Sequence, residues 1–307
     1  VYREIIRSNA LQAPLCHQDA DWVADEMYKA LMSDHPCMIA RFGSTEMTCL
    51  CNYIGIKYHK NDILPYIKGE SPPWWWESNS ISQMQLWSGF FPPTVEKIEQ
   101  FCEMMLQDIP LVDILGSWVP EERYFEKEMS HTIKVNLELL NPYFSKIPWT
   151  KALKGKKVVV VHPFAETIQS QYKKRELLFA NDLLPEFSLR TVKAVQSIAG
   201  EKTPFQDWFE ALDSMKKEID KEEYDICLIG AGAYGFPLAA HVKREGKKGF
   251  HLGGSLQLLF GIRGKRWENV DYNSTYNYAN LMNEFWTKPG ESEKPKDASV
   301  VEGACYW

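Results

Sequence analysis

The chain has 307 residues, 45% hydrophobic and 25% charged, with 35 Lys+Arg against 41 Asp+Glu for a formal net charge of −6. These values are those of a folded globular protein and exclude disordered, collagen-like and coiled-coil chains. The acidic total argues against a dedicated nucleic-acid binder but leaves room for a small local phosphate site.

In chain order, the first predicted element is an amphipathic helix over Asp19 to Met32, with Trp22, Val23, Met27, Ala30 and Leu31 near helical spacing. A short buried strand, Cys37 to Arg41, follows. After Gly43 a second helix begins, with Ser44 or Thr45 as its cap and Met47, Leu50 and Ile54 on its apolar face. Tyr58 to Phe91 reads as a long loop of the kind that forms lids or binding sites, and it carries Trp74, Trp75, Trp76, Trp87, Phe90 and Phe91. A helix over Thr94 to Ile109 and a strand over Leu111 to Leu115 complete the first half.

Beyond a linker-like stretch from Asn141 to Lys156, the alternation continues. A strand from Lys157 to His162 runs into a helix from Phe164 to Ala180. A strand near Leu189 to Val195 and a helix from Pro204 to Ile219 come next. A strand from Tyr224 to Ile229 then leads through a glycine turn into a helix from Ala233 to Glu245 and a strand from Gly249 to Leu252. Strand, glycine turn, helix, strand is the βαβ unit. The expected fold is therefore α/β and Rossmann-like, a mostly parallel sheet with flanking helices and ligands at the carboxyl ends of its strands. The length accommodates two halves, 1–145 and 146–307, or one continuous domain. The C-terminal residues Val301 to Trp307 are apolar enough to dock.

Seven cysteines (Cys16, Cys37, Cys49, Cys51, Cys102, Cys227, Cys305) are odd in number and lie mostly in apolar runs, as reduced thiols do. No apolar run approaches the ~20 residues of a membrane span, and no signal peptide is evident. The expected location is cytoplasmic, with room for peripheral contact at the inner membrane face. A start at Val1 leaves a trimmed N-terminus open, and nothing in the sequence sets the oligomeric state.

Chemistry is sought at the strand ends. Gly230-Ala-Gly232-Ala-Tyr234-Gly235 matches the G-x-G-x-x-G fingerprint in its strand-to-helix context, where backbone N–H groups can meet a diphosphate. The bland alternative is tight strand–helix packing. The next strand ends at His251 without the carboxylate that a dinucleotide site uses on the ribose. Gly253-Gly254 opens a second such turn, and Arg263, Lys265 and Arg266 follow as either an anion site or a solvated basic turn. His162 ends its strand where a catalytic or a structural histidine would sit, and Glu166 lies just beyond. Arg41-Phe42-Gly43-Ser44-Thr45-Glu46 puts a cation and a carboxylate at one strand-to-helix corner, as a site or as a salt bridge at a helix start. The loop tryptophans have the flat faces that stack on sugars or meet a membrane-anchored acceptor, or they are the loop's own packing.

Two of these segments together resemble the bacterial GT-D type glycosyltransferases, a family once catalogued as a domain of unknown function. Arg41-Phe42-Gly43-Ser44-Thr45-Glu46 is similar to the family's Arg-Phe-Gly-Asp-x-Glu pattern. Leu228-Ile229-Gly230-Ala-Gly232, Leu238-Ala239, Gly246 and His251-Leu252-Gly253 resemble its late block. The resemblance implies transfer of a sugar from a nucleoside-diphosphate sugar to a glycan or lipid-linked acceptor in bacterial surface polysaccharide or glycoprotein assembly. The family's Asp-x-Glu pair implies a divalent metal, Mn²⁺ or Mg²⁺. Here the Asp position is Ser44 and only Glu46 matches, a poor donor set for a hard cation.

The expected site thus has Glu46 as first candidate base or metal ligand, with Glu166 and His162 behind it. Donor contacts are expected from Arg41, Gly43, Ser44, Gly230, Gly232, Tyr234, Gly235, His251, Gly253 and Gly254. Arg263, Lys265 and Arg266 would replace part of the metal's charge, and Trp74, Trp75, Trp76 and Trp87 would face the acceptor. The rival readings are an NAD(P)-dependent oxidoreductase and a non-catalytic glycan-binding protein.

Overall fold

The computed structural model describes residues 14–273, 275–295 and 306–307. Cys305 and residues 301–305 of the expected docking tail lie outside the described residues. The elements in chain order are α1 (Ala20–Met32), β1 (Cys37–Arg41), α2 (Ser44–Tyr58), α3 (Ile63–Lys68), α4 (Ser78–Leu86), α5 (Val95–Asp108), β2 (Ile114–Ser117), β3 (Ile133–Asn136), β4 (Lys157–His162), α6 (Ala165–Tyr172), α7 (Arg175–Leu178), β5 (Ser188–Lys193), α8 (Trp208–Asp220), β6 (Ile226–Ile229), α9 (Gly235–Arg244), β7 (Lys248–His251), α10 (Leu256–Leu259) and α11 (Lys265–Glu268).

The strands form one sheet in the order β3-β2-β1-β7-β6-β4-β5. Every pairing is parallel. Strands from the first 145 residues occupy one side, strands from the rest the other, and they meet where Ile39 lies opposite Phe250. Parallel sheets are covered on both faces, so their strands are apolar on both. Val159 and Val161 enter one core with Phe101, Trp208 and Leu238, while Val158 and Val160 enter the other with Trp149, Phe250 and Phe260. The period-two alternation of the strand thus feeds two cores at once.

Local chemistry sets the helix starts. Asp19 caps α1 by accepting from the Trp22 amide at 2.8 Å, and Asp207 caps α8 by accepting from the Glu210 amide at 2.8 Å. That cap moves the start of α8 from the expected Pro204 to Trp208. For α2 the cap is Gly43, which has no side chain to offer, rather than Ser44 or Thr45. The Tyr58–Phe91 loop holds two helices, α3 and α4, and the expected helix to Ala180 divides into α6 and α7. At that break Gln171 donates to the Gly261 and Phe285 carbonyls and the Tyr172 hydroxyl meets the backbone of Phe187, tertiary bonds that outweigh helix propensity. A 3-10 turn over Ile109–Leu111 delays β2 to Ile114. The stretch 141–156 is no linker, since Trp149 is fully buried there and donates to the Leu140 carbonyl at 2.9 Å. Strand β3 was not legible because it is short and half-buried, at the sheet edge.

Candidate active site

All seven strands point their carboxyl ends at one edge of the sheet, and there a cleft of about 600 Å³ opens. Its floor takes residues from every strand end: Glu138 after β3, Trp118 after β2, Arg41 and Gly43 at β1, His251 and Gly253 at β7, Gly230 and Gly232 after β6, His162 at β4 and Ser197 beyond β5. The seam between β1 and β7 lies near its middle, as expected for the ligand crevice of an open α/β sheet.

Arg41 is set into this seam. Its guanidinium lies 5.0 Å from the centre of the Trp118 ring. Gly253 has left-handed backbone (φ 68°), and a Cβ there would stand 3.3 Å from Arg41 Cδ and 3.4 Å from Nη1. Glycine at 253 therefore serves both the turn and the approach of the arginine. Arg41 Nε is buried and has no hydrogen-bond partner. Burial pulls its pKa down, the Glu46 carboxylate opposes that, and the like charge of Arg266 adds to it. Glu46 stands in the first turn of α2, its carboxylate folded so closely over Gly43 that a Cβ there would overlap it.

Two buried histidines flank the seam, both held neutral by burial with their pKa lowered to about 3. The Phe164 amide donates to His162 Nδ1 at 3.0 Å, so the neutral ring carries its proton on Nε2. His251 Nδ1 faces the Ile229 carbonyl at 3.3 Å, and this ring carries its proton on Nδ1 instead. The glycine fingerprint is built around these rings. A Cβ on Gly230 would press on His162 and on the Gly253 carbonyl, and one on Gly235 would overlap the His251 ring. Gly232 alone of the three faces open space, with φ 53°. Tyr234 stacks on Trp208 at 4.6 Å and shares a 3.0 Å hydrogen bond with Ser197, so it belongs mainly to the core.

The cleft has a second carboxylate that sequence reasoning missed. Glu138 accepts a hydrogen bond from the Tyr278 hydroxyl, which in turn accepts from Asn141 at 2.8 Å. Its signal would have been the end of β3, the strand left unrecognised. At the rim Arg266 lies 5.0 Å over the Tyr306 ring, Tyr306 covers Gly254, and buried Trp307 packs on Phe164.

Several expected contacts lie elsewhere. Glu166 is exposed and pairs with Lys193 at 3.2 Å, while buried Glu293 takes the Glu166 and Thr167 amides at the start of α6. Arg263 donates to the Trp286 carbonyl at 2.9 Å, and Lys265 is exposed outside the cleft lining. Trp74 and Trp75 pack edge-on with each other and with Tyr66, and Trp76 stacks on Tyr53. Phe90 is core, and of the loop tryptophans only Trp87 reaches the cleft.

A divalent cation is a poor match for these donors. Ser44 is exposed where a carboxylate would be needed, leaving Glu46 alone at the corner. Among the described residues no three His, Cys, Asp or Glu side chains converge as ligands, and Mg²⁺ or Mn²⁺ wants oxygen donors in number.

No curated protein sequence matches the chain. Two solved structures of the domain of unknown function 1792 are similar to it. One, described as having a distinct glycosyltransferase fold, is 12% identical with 82% of each chain covered and a TM-score of 0.40. The other, its selenomethionine-substituted form, is 12% identical with 83% of this chain and 82% of that chain covered, also at 0.40. The model of the GT-D fold-like domain matches residues 18–259, and the chain belongs to that family.

Proposed function

We propose that the chain is a glycosyltransferase that moves a hexose from a nucleoside-diphosphate sugar to a hydroxyl of a glycan or lipid-linked acceptor, in the assembly of bacterial surface polysaccharide or glycoprotein. The observation that carries this reading is Arg41, a cation with an unpartnered buried Nε at the centre of a strand-end cleft. A leaving diphosphate develops negative charge, and preorganised cations and N–H groups at that point lower the barrier. Glu46, in the first turn of α2, is the first choice of base for the acceptor hydroxyl, and Glu138, wired to Tyr278, is the second.

The donor lies across Arg41, Gly232 and Gly253, with Arg266 at the rim. The acceptor enters past Trp87, which is 46% exposed. Exposed Ile63, Leu64 and Trp75 support an acceptor presented at a membrane surface and a cytoplasmic enzyme resting there. No described helix is long and apolar enough to cross a membrane.

The test is a thermal-shift panel of nucleoside diphosphates, their sugars and NAD(P)H, followed by transfer assays. Stabilisation by one nucleoside diphosphate and its sugar is expected, and Glu46→Gln should lower kcat by about 10²–10⁴-fold. Stabilisation by NAD(P)H instead would favour the oxidoreductase. Silence from every nucleotide, with glycan binding retained, would leave a glycan-binding protein. An unchanged rate in Glu46→Gln with a large loss in Glu138→Gln would move the base to Glu138.

A further inference from the structure

The chemistry of the β1–β7 seam bears on how a diphosphate would be held, an inference that rests on the donor reading above. A bound diphosphate carries at least two negative charges, and a site must supply the opposing charge from a cation or from its own side chains. Among the described residues lining the cleft, Glu46 and Glu138 are the carboxylates and Arg41 and Arg266 the guanidinium groups. Ser44 and Glu46 leave one carboxylate at the start of α2, already folded over Gly43 beside Arg41. Arg41 and Arg266 line the same cleft, and the like charge of Arg266 adds to the cost that burial places on Arg41.

Arg41 keeps a buried Nε with no hydrogen-bond partner in this cleft, and an anion bound there would supply the missing acceptor. The 15-residue helix α2 opens on the same cleft with no side-chain cap hydrogen bond, its positive end met so far by the Glu46 carboxylate over Gly43. We propose that this cleft binds the diphosphate of its donor without a divalent cation, Arg41 and Arg266 supplying the charge at the uncapped start of α2. Guanidinium donors in a planar fork suit phosphate oxygens, and the Arg41 guanidinium lies 5.0 Å from the centre of the Trp118 ring.

The experiment is calorimetric titration of the full chain with UDP, GDP, ADP and inorganic pyrophosphate, each in excess EDTA and in excess Mn²⁺. The expected result is a nucleoside diphosphate bound in EDTA with a Kd within about threefold of that in Mn²⁺. Arg41→Gln should weaken binding in EDTA by about tenfold or more, and Arg41→Lys, which keeps the charge but loses the fork, by less. Should Arg41→Gln fail to fold, Arg266→Gln at the rim should show the same loss in smaller measure. Ser44→Asp, which restores a carboxylate pair with Glu46, should make binding responsive to Mn²⁺.

Nucleotide bound only with Mn²⁺ overturns this inference and leaves the donor reading standing, as does unchanged binding in EDTA by both arginine variants. Pyrophosphate held in EDTA with no nucleotide held overturns the donor reading and keeps the anion site. Neither ligand bound in EDTA overturns the inference.

Discussion

His162 and His251 lie in the same cleft, yet their hydrogen bonds give them opposite tautomers, so one offers an Nε2–H and the other an Nε2 lone pair to whatever lies between. Both rings stay neutral in the fold down to about pH 3, whereas an unfolded histidine takes up its proton near 6.5. Between those values the unfolded chain binds more protons. Stability therefore falls as pH drops through that window, by up to about 1.4 kcal/mol per pH unit for each ring. Asp108 works the other way. Burial raises its pKa to about 6, so from there down to the ordinary carboxylate range the fold takes up the proton first, which offsets part of the loss. In His162→Asn the amide oxygen can still accept from the Phe164 amide, but nothing titrates. Urea unfolding at about pH 6 and pH 5 should show the variant losing about 1 kcal/mol less than wild type over that step. Equal losses would mean that His162 is not held neutral.

At the scale of elements, the glycine turn between β6 and α9 shows how far a motif can be read. Its position after a strand and before a helix was legible from Tyr224 to Glu245, because the apolar run and the glycines are both local signals. That Gly230 and Gly235 give way to histidine rings from β4 and β7 was not, since those neighbours are distant in sequence. The same division runs through the site. Arg41, Glu46, His162 and Gly253 could be placed at the strand-end cleft because each ends a recognisable strand or opens the turn or helix that follows one. Glu138 was missed with β3, and Arg263 was misplaced because a basic turn does not reveal the carbonyl of Trp286 that takes it. Sequence leaves the loop tryptophans open between an acceptor surface and the loop's own packing, because Tyr66, which packs on Trp74 and Trp75, lies on α3, a helix too short for its period to show. Gly235→Ala should cost about 1–3 kcal/mol, because the His251 ring must shift and strain its bond to Ile229. Gly232→Ala meets no atom within 4 Å and should cost only about 1 kcal/mol for its left-handed backbone. Thermal unfolding of the two variants measures the order, and the reverse order would show that the turn is not built around the histidine.

Across the whole molecule, the net charge of −6 coexists with a β1–β7 seam whose cleft brings Arg41 and Arg266 together with Glu46 and Glu138. That seam is also where the two halves of the chain join. Cys37, Met38 and Ile39 of β1 pair with Lys248, Gly249 and Phe250 of β7, and α9 packs over β1, β6 and β7 together. The far end of α9 is fixed to the first half. Lys243 pairs with Asp113 at 2.7 Å and donates to the Leu111 carbonyl at 2.7 Å, and Arg244 pairs with buried Asp108. Asp113 in turn accepts from the Met38 amide at 2.7 Å, so one carboxylate ties β1 to a helix from the other half. Pulling the halves apart would expose a row of unpaired backbone groups along both β1 and β7 and leave Asp108 buried beside a missing partner, costs that neither half can meet alone. Unfolding should therefore be a single cooperative step, with tryptophan fluorescence and far-ultraviolet circular dichroism tracing the same urea midpoint. Lys243→Met should lower that midpoint for both probes together. Two separated midpoints, or a shift confined to one probe, would show instead that residues 1–145 and 146–307 fold as independent domains that happen to share a sheet.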